Sequence, residues 1–201
     1  MGVAYIAAVA RQDGHEVEIW NQELYHFEDS EIQTYLDENE PYDVIGVGVY
    51  GYQMFKKSIE VCKYIQKSKN KPIVVLGSNG PSACPEYFLE QTKADYIVHG
   101  EGEISWRELL RRLTNKENVR DSPGVSFLKS DGTLHKNPES PLARPVDDLP
   151  FPAWDLFPMD AYILYKHESA KHTARCFPVL YSRGCPQSCN FCYRLYDSYR
   201  L

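Results

Sequence analysis

The sequence has no run of apolar residues approaching the roughly 18–20 needed to cross a bilayer. It has no basic excess either. Asp and Glu number 28 against 22 Lys and Arg, a formal charge of −6, which argues against a protein that grips nucleic acid by its phosphates. There is no internal repeat and no low-complexity tract. The opening stretch "GVAYIAAVARQ" (2–12) carries an A-x-A-like site but lacks a basic start, and its apolar part is short, so it does not read as a secretory leader. The expectation is a cytoplasmic chain with no membrane partner and no nucleic-acid partner. There its six cysteines stay reduced, and ligation is favoured over disulfides.

What is present is enough for one full domain and part of another: 201 residues, 43% of them hydrophobic. Val3, Ile6, Ala7 and Ala10 fall at i, i+3, i+4 and i+7, so the first segment is an amphipathic helix, ended at Gly14. The strand "HEVEIW" (15–20) is expected next, then a helix over 29–40 capped by Asp29 or Ser30. "DVIGVGV" (43–49), "PIVVLG" (72–77) and "DYIVHG" (95–100) read as strands covered on both faces. Between them lie a helix with Phe55, Ile59, Cys62 and Ile65 on one stripe and a short helix around 86–91. A last helix follows, burying Leu109, Leu110 and Leu113. This alternation predicts an α/β fold, a doubly wound parallel sheet. Such a domain ordinarily opens with a strand, and here a helix follows Met1 at once. The natural N-terminus, with its first strand, is therefore expected upstream.

Beyond the sheet, "GVSFLKSDGTLHKN" (124–137) centres on Asp131-Gly132 and predicts a β-hairpin. Residues 138–158 hold six of the thirteen prolines and read as an extended linker. "FPVLYSRG" (177–184) returns to strand character. The expected domains are 1–120, a linker region 121–176, and the start of a further domain at 177–201.

That last segment delivers "SRGCPQSCNFC" (182–192), with Cys185, Cys189 and Cys192 at C-x3-C-x2-C spacing. Structural zinc wants four protein ligands, usually from two separated pairs, and no second pair exists. Cys176, His167 or His172 are the available fourth ligands for zinc or for a four-cysteine electron-carrier cluster. A 4Fe–4S cube uses the count better. Three close cysteines hold three irons and leave the fourth open, as a reactive metal must be. Three unligated thiols remain the plain alternative, although exposed clustered thiols oxidise readily.

"CPQSCNFC" resembles the C-x3-C-x-aromatic-C signature of radical S-adenosylmethionine (SAM) enzymes, with Phe191 as the aromatic. "PVLYSRG" looks like the first strand of their partial barrel of TIM type. Ahead of it, "GVAYIAAVARQDGHEVEIW", "VVLGSNGPSACPE", "VHGEGE" and "LPFPAWDLFP" resemble, in that order, the cobalamin-binding half of the cobalamin-dependent members, whose domain is Rossmann-like. The resemblance implies a 4Fe–4S cluster on Cys185, Cys189 and Cys192, with SAM chelated at the open iron. Phe191 and the backbone at Tyr193 would lie near its adenine. One electron from the cluster would cleave SAM to a 5′-deoxyadenosyl radical that removes hydrogen from a substrate. Family members commonly methylate unactivated carbons by way of methylcobalamin, and others close rings or rearrange. A small-molecule or biosynthetic-intermediate substrate and a low-potential electron donor such as flavodoxin or ferredoxin are the implied partners. The competing reading is a non-catalytic iron–sulfur or zinc protein whose corrinoid-like domain carries or senses. Only nine residues follow Cys192, so the segments that hold SAM in the family are missing here and the chain alone is expected to be inactive.

In an open parallel sheet ligands bind beyond the carboxyl ends of the strands, which marks three loops for cobalamin. They are "YGYQ" with Tyr50 and Tyr52, "GSNGPSA" with Gly77, Ser78 and Gly80, and "GEGE" with Gly100, Glu101 and Gly102. Gly77 and Gly80 read equally as turn residues, and Glu101 and Glu103 as residues favouring a helix start. A phosphate site is another reading of "GSNGPSA", but its G-x-x-G lacks the G-x-G-x-x-G or G-K-[ST] pattern. D-x-H-x-x-G, which supplies a lower axial histidine in other cobalamin proteins, is absent too. His15 and His99 abut strand ends. Only His99 falls near the loops, and a packed or solvated role is favoured for it. Cobalamin without a histidine ligand from this chain is the expectation. Cys62 reads as core and Cys84 as structural.

Overall fold

A computed structural model describes residues 1–164, 179–187 and 189–192. The chain divides into two compact units, Asn21–Leu142 and a discontinuous one made of Met1–Trp20 with Ala143–Leu201.

The unit over 21–142 is an α/β layer built on one five-stranded sheet in the order β1-β2-β3-β4-β5. Its elements run α2 (Gln22–Tyr25), α3 (Glu31–Glu38), β1 (Val44–Gly48), α4 (Phe55–Lys67), β2 (Ile73–Gly77), α5 (Asn79–Ala83), α6 (Pro85–Thr92), β3 (Tyr96–Val98), α7 (Gly102–Thr114), β4 (Val125–Leu128) and β5 (Leu134–Lys136). β1, β2 and β3 are parallel, with Gly48 opposite Gly77 and Leu76 opposite Ile97. Their carboxyl ends therefore share one sheet edge. β4 joins β3 antiparallel and pairs with β5, so the sheet is mixed.

Period and burial agree where the apolar stripes are long. Trp106, Leu109 and Leu113 of α7 line the face that meets Val75, Val98 and Val125 of three neighbouring strands. Leu109 is fully buried, which contributes roughly 1.5–3 kcal/mol. Cys62 and Ile65 of α4 are buried as well, and burial pushes the Cys62 thiol up to about 12. Cys62 is core, as its place on the stripe implied. In the hairpin, Gly132 N donates to Lys129 O and Lys129 N to Thr133 O, with Gly132 at φ 81°. This is a three-residue loop with a left-handed glycine rather than a two-residue turn. Asp131 holds it by accepting from both the backbone and the hydroxyl of Thr133.

Two local expectations fail. The Ser30 side chain makes no cap bond to α3. Asp29 instead accepts from Gln22, and the exposed helix start is closed by Glu31, whose carboxylate takes the amide of Glu28. "HEVEIW" is not a strand: residues 15–20 have no ladder partner. Alternation gives a segment strand character, but a strand needs a neighbour for its backbone hydrogen bonds. None of the described residues pairs with this one.

In the other unit, α1 (Gly2–Gln12) ends at Asp13 with Gly14 at φ 90° beyond it, the left-handed residue anticipated there. Ala7 and Ala8 pack with Ala153, flanked by Val17, Ile19 and Leu156. Ala153 N donates to Ala4 O at 3.0 Å, and Arg11 pairs with Asp155 at 2.6 Å in the open, where an ion pair contributes little. The linker is extended apart from short turns until α8 (Met159–Leu164). In the described part of the expected barrel strand, Val179–Ser182 has no ladder and Arg183 makes a single β-bridge.

Candidate functional site

The loops at the carboxyl edge of β1–β3 are stitched together by their own backbone. Val49 N donates to Gly77 O at 3.0 Å, and Gly80 N returns a bond to Val49 O at 3.3 Å. The Ser82 hydroxyl donates to Ser78 O at 2.8 Å and accepts from Gly100 N at 3.2 Å, so one side chain ties the second loop to the third. Ser78 itself sits at φ 82°, ψ −170°, a region that L residues rarely adopt and that costs about 1–3 kcal/mol. Gly80 is buried because it must be: a Cβ there would lie 2.7 Å from the Phe55 ring and 3.3 Å from that of Phe88. Those two rings meet edge to face at 4.7 Å between centroids.

His99 stands at the end of β3 and is buried. Its Nε2 bonds the Ser126 hydroxyl of β4 at 2.6 Å, its amide donates to Gly124 O at 2.8 Å, and its ring also bonds the Ser82 backbone. Burial holds its pKa down at about 4, helped by the positive Lys136 and opposed by the Ser82 bond. It is a neutral tie between two loops and a strand, as the packed reading had it. Glu101 precedes α7 in extended backbone without capping it, and Glu103 lies in the first turn; both are buried. Gly100 takes φ 65° between them and His99. Tyr50 projects outward, 73% exposed. The edge thus offers an exposed aromatic ring beside a rigid backbone floor.

Most of the sequence-predicted edge residues come together on this rim. Tyr50, Gly77, Ser78, Gly100, Glu101 and Gly102 sit at or just beyond the ends of β1, β2 and β3, while Gly80 lies beneath, against the rings. Tyr52 begins a single helical turn at the same edge. The ties made by Ser82 and Ser126 were not legible in the sequence, although Ser82 lies in the "GSNGPSA" loop. Hydroxyls that join loops through tertiary bonds leave no period to read. Cys84 is exposed, and its carbonyl accepts from Phe88 N at 3.2 Å, a backbone role at the start of α6.

The cysteine loop is built differently. Cys185, Cys189 and Cys192 are exposed and in no disulfide, and Phe191 is 93% exposed. Cys192 N donates to Cys189 O at 3.2 Å, a turn that brings the last two closer along the chain. Among the described residues no group of three or more His, Cys, Asp or Glu is arranged to hold a metal. The donor set fits an iron–sulfur cluster: three soft, exposed ligands from one eight-residue stretch. Cys176, His167, His172 and Tyr193 lie outside the described residues.

Residues 1–110, more than half of the chain, match the model of the B12 binding domain. The chain belongs to the B12-binding domain family. Within that family it departs from the members that use D-x-H-x-x-G, and its one histidine near the loops is committed to Ser126 and Ser82. An uncharacterized methyltransferase of Pyrococcus horikoshii, PH0819, is 30% identical over 193 residues, covering 96% of this chain and 40% of that protein. The cobalamin-dependent radical SAM methyltransferase TokK of Streptomyces tokunonensis is 30% identical over 158 residues, covering 75% of this chain and 22% of TokK. Among solved structures, the cobalamin-dependent SAM radical enzyme OxsB, with aqua-cobalamin and SAM bound, has the same fold at a TM-score of 0.78 and 22% identity. That match covers 99% of this chain and 26% of OxsB. The B12-binding chain thus spans well under half the length of these relatives, and no helix among its described residues is long and apolar enough to cross a membrane.

Proposed function

We propose that this chain forms the corrinoid-binding part and the cluster loop of a cobalamin-dependent radical SAM methyltransferase. The observation that carries the reading is the succession in one chain of a B12-binding domain match and an exposed C-x3-C-x2-C loop. TokK and OxsB, a cobalamin-dependent radical SAM methyltransferase and a cobalamin-dependent SAM radical enzyme to which this chain is similar, support it. Cys185, Cys189 and Cys192 would ligate a 4Fe–4S cluster through thiolates, with Phe191 and Tyr193 flanking the adenine of SAM. Tyr50 and Tyr52 would contact the corrin or its nucleotide tail. The backbone at Gly77, Ser78, Gly100, Glu101 and Gly102 would meet the ligand, with Gly80 beneath them against the rings; glycines there let backbone approach a large flat ligand closely. When bound, the cluster supplies an electron for reductive cleavage of SAM and the corrinoid supplies the methyl group. His99 would not ligate the corrinoid, because its Nε2 is bonded to the Ser126 hydroxyl and the ring is buried. The substrate is a small molecule or biosynthetic intermediate, the electron donor is of low potential, and the setting is cytoplasmic. The domain plan is a corrinoid domain over 1–120, a hairpin and linker over 121–176, and the start of the radical SAM core over 177–201.

Two titrations test this. Hydroxocobalamin added to the purified chain should give a bound corrinoid spectrum that persists through desalting, unchanged in His99→Gln. Anaerobic reconstitution should load about four irons per chain. A chain that stays colourless with cobalamin loses the corrinoid assignment. Tetrahedral zinc binding without iron would favour a structural-metal protein.

A further inference from the structure

Among the described residues of 179–192, Arg183 alone is buried, 9% exposed, while its neighbours stand in solvent apart from half-buried Ser182. Val179 and Tyr181 before it are more than 80% exposed, and Gly184 after it turns outward at φ 84°. An arginine is the last residue expected to be the single buried member of an exposed loop. Its guanidinium lies over the ring of Tyr5, on α1 of the same unit, 4.8 Å from the centroid. A planar, weakly hydrated cation stacked on an aromatic face is a favourable way to bury such a charge.

We propose that the Tyr5–Arg183 stack is the anchor that positions the cysteine loop, so that Tyr5 and Arg183 are positioning residues for the metal ligands. The proposal rests on the assignment of Cys185, Cys189 and Cys192 as ligands. Cys185 is two residues from Arg183, at most about 7 Å of extended chain. Pinning Arg183 therefore confines the first thiol to a small volume. Gly184 supplies the turn by which the chain leaves the anchor. α1 is in turn held by its alanine contacts with Ala153 and by the Ala153–Ala4 backbone bond, so the ring under the guanidinium rides on a supported helix. Lysine cannot replace Arg183, since an ammonium lacks the plane that stacks. Phenylalanine can replace Tyr5, since the ring face is kept.

Two readouts test the anchor, one without metal. In the apo chain, trypsin should cleave the Arg183–Gly184 bond slowly. Tyr5→Leu should speed that cleavage about threefold to tenfold, with cleavage after Arg11 unchanged as the sign that α1 stays folded, and Tyr5→Phe should match the unsubstituted chain. In the reconstituted chain, Tyr5→Leu and Arg183→Lys should each hasten iron loss to a chelator by a similar factor. Combining them should add little to either alone, because both remove the same contact. Equal trypsin rates in Tyr5→Leu and the unsubstituted chain, or iron loss unmoved by either substitution, overturn the anchor. A chain that takes up no iron at all refutes the ligand assignment instead, and the trypsin rates still decide the anchor.

Discussion

The two regions that this chain brings to its chemistry are prepared in opposite ways. At the sheet edge, Val49, Gly77, Ser78, Gly80, Ser82, His99 and Gly100 are bonded to one another before any ligand arrives. In the cysteine loop the described residues are nearly all exposed, and one buried arginine holds the stretch to its own unit. A large flat ligand with many shallow contacts gains from a rigid floor, because ordering loops on binding costs free energy. A cluster with three strong thiolate bonds can organise its own loop, since metal binding energy doubles as folding energy. On the proposed function, the contrast is between a site formed by the fold and a site that a metal cluster would form.

The contrast can be broken most completely at the loop. Replacing any one of Cys185, Cys189 or Cys192 by Ala should abolish cluster assembly, measured as iron per chain. The thermal unfolding of the apo chain should not move, because those side chains are exposed. At the edge the reverse should hold. Gly124 lies at φ 70°, and a Cβ there would stand 3.1 Å from Ser140 Cβ and 3.3 Å from Ser105 Cβ, with the Ser105 hydroxyl closer still. Gly124→Val should therefore cost about 2–4 kcal/mol in urea unfolding and weaken cobalamin uptake, leaving iron loading intact.

His99 gives a smaller, pH-resolved effect. Its folded pKa, about 4, lies below the ordinary 6.5, so the folded chain favours the neutral ring. The tie contributes fully above pH 6.5 and is lost as the pH falls from 6.5 through 4, where the unfolded chain binds the extra proton. His99→Gln should cost about 1–3 kcal/mol at pH 7.5, and its difference from the unsubstituted chain should shrink toward pH 4 in parallel denaturation curves. The smallest expected change is a gain. Ser78→Gly relieves the strained backbone and should raise stability by about 1 kcal/mol; a loss on that substitution would mean the Ser78 conformation carries no strain.

Much of the sheet was legible because its signals are periodic. The strands around Val44, Ile73 and Tyr96 read from continuous apolar runs, and α4 and α7 from their stripes. The rim loops read from the rule that places ligands at strand carboxyl ends, and the three cysteines from spacing alone. "HEVEIW" did not become a strand because alternation reports how a strand would face, not whether a neighbour is there to pair with it. The α3 cap failed because Asp29 had a better partner in Gln22 than the helix amides. The Ser82–His99–Ser126 tie and the Arg183–Tyr5 stack were invisible, since each joins residues far apart in the chain through single polar or stacking contacts with no repeat.

The most direct measurement is hydrogen–deuterium exchange on the chain before and after anaerobic iron–sulfur reconstitution. The amides of Val49, Gly80, His99 and Gly100 should be protected in the apo chain and unchanged afterwards, while those of 185–192 should exchange freely at first and become protected on loading. Equal protection of the two regions in the apo chain, or a cysteine loop still unprotected when four irons are bound, would contradict a site made by the fold beside a site made by its metal.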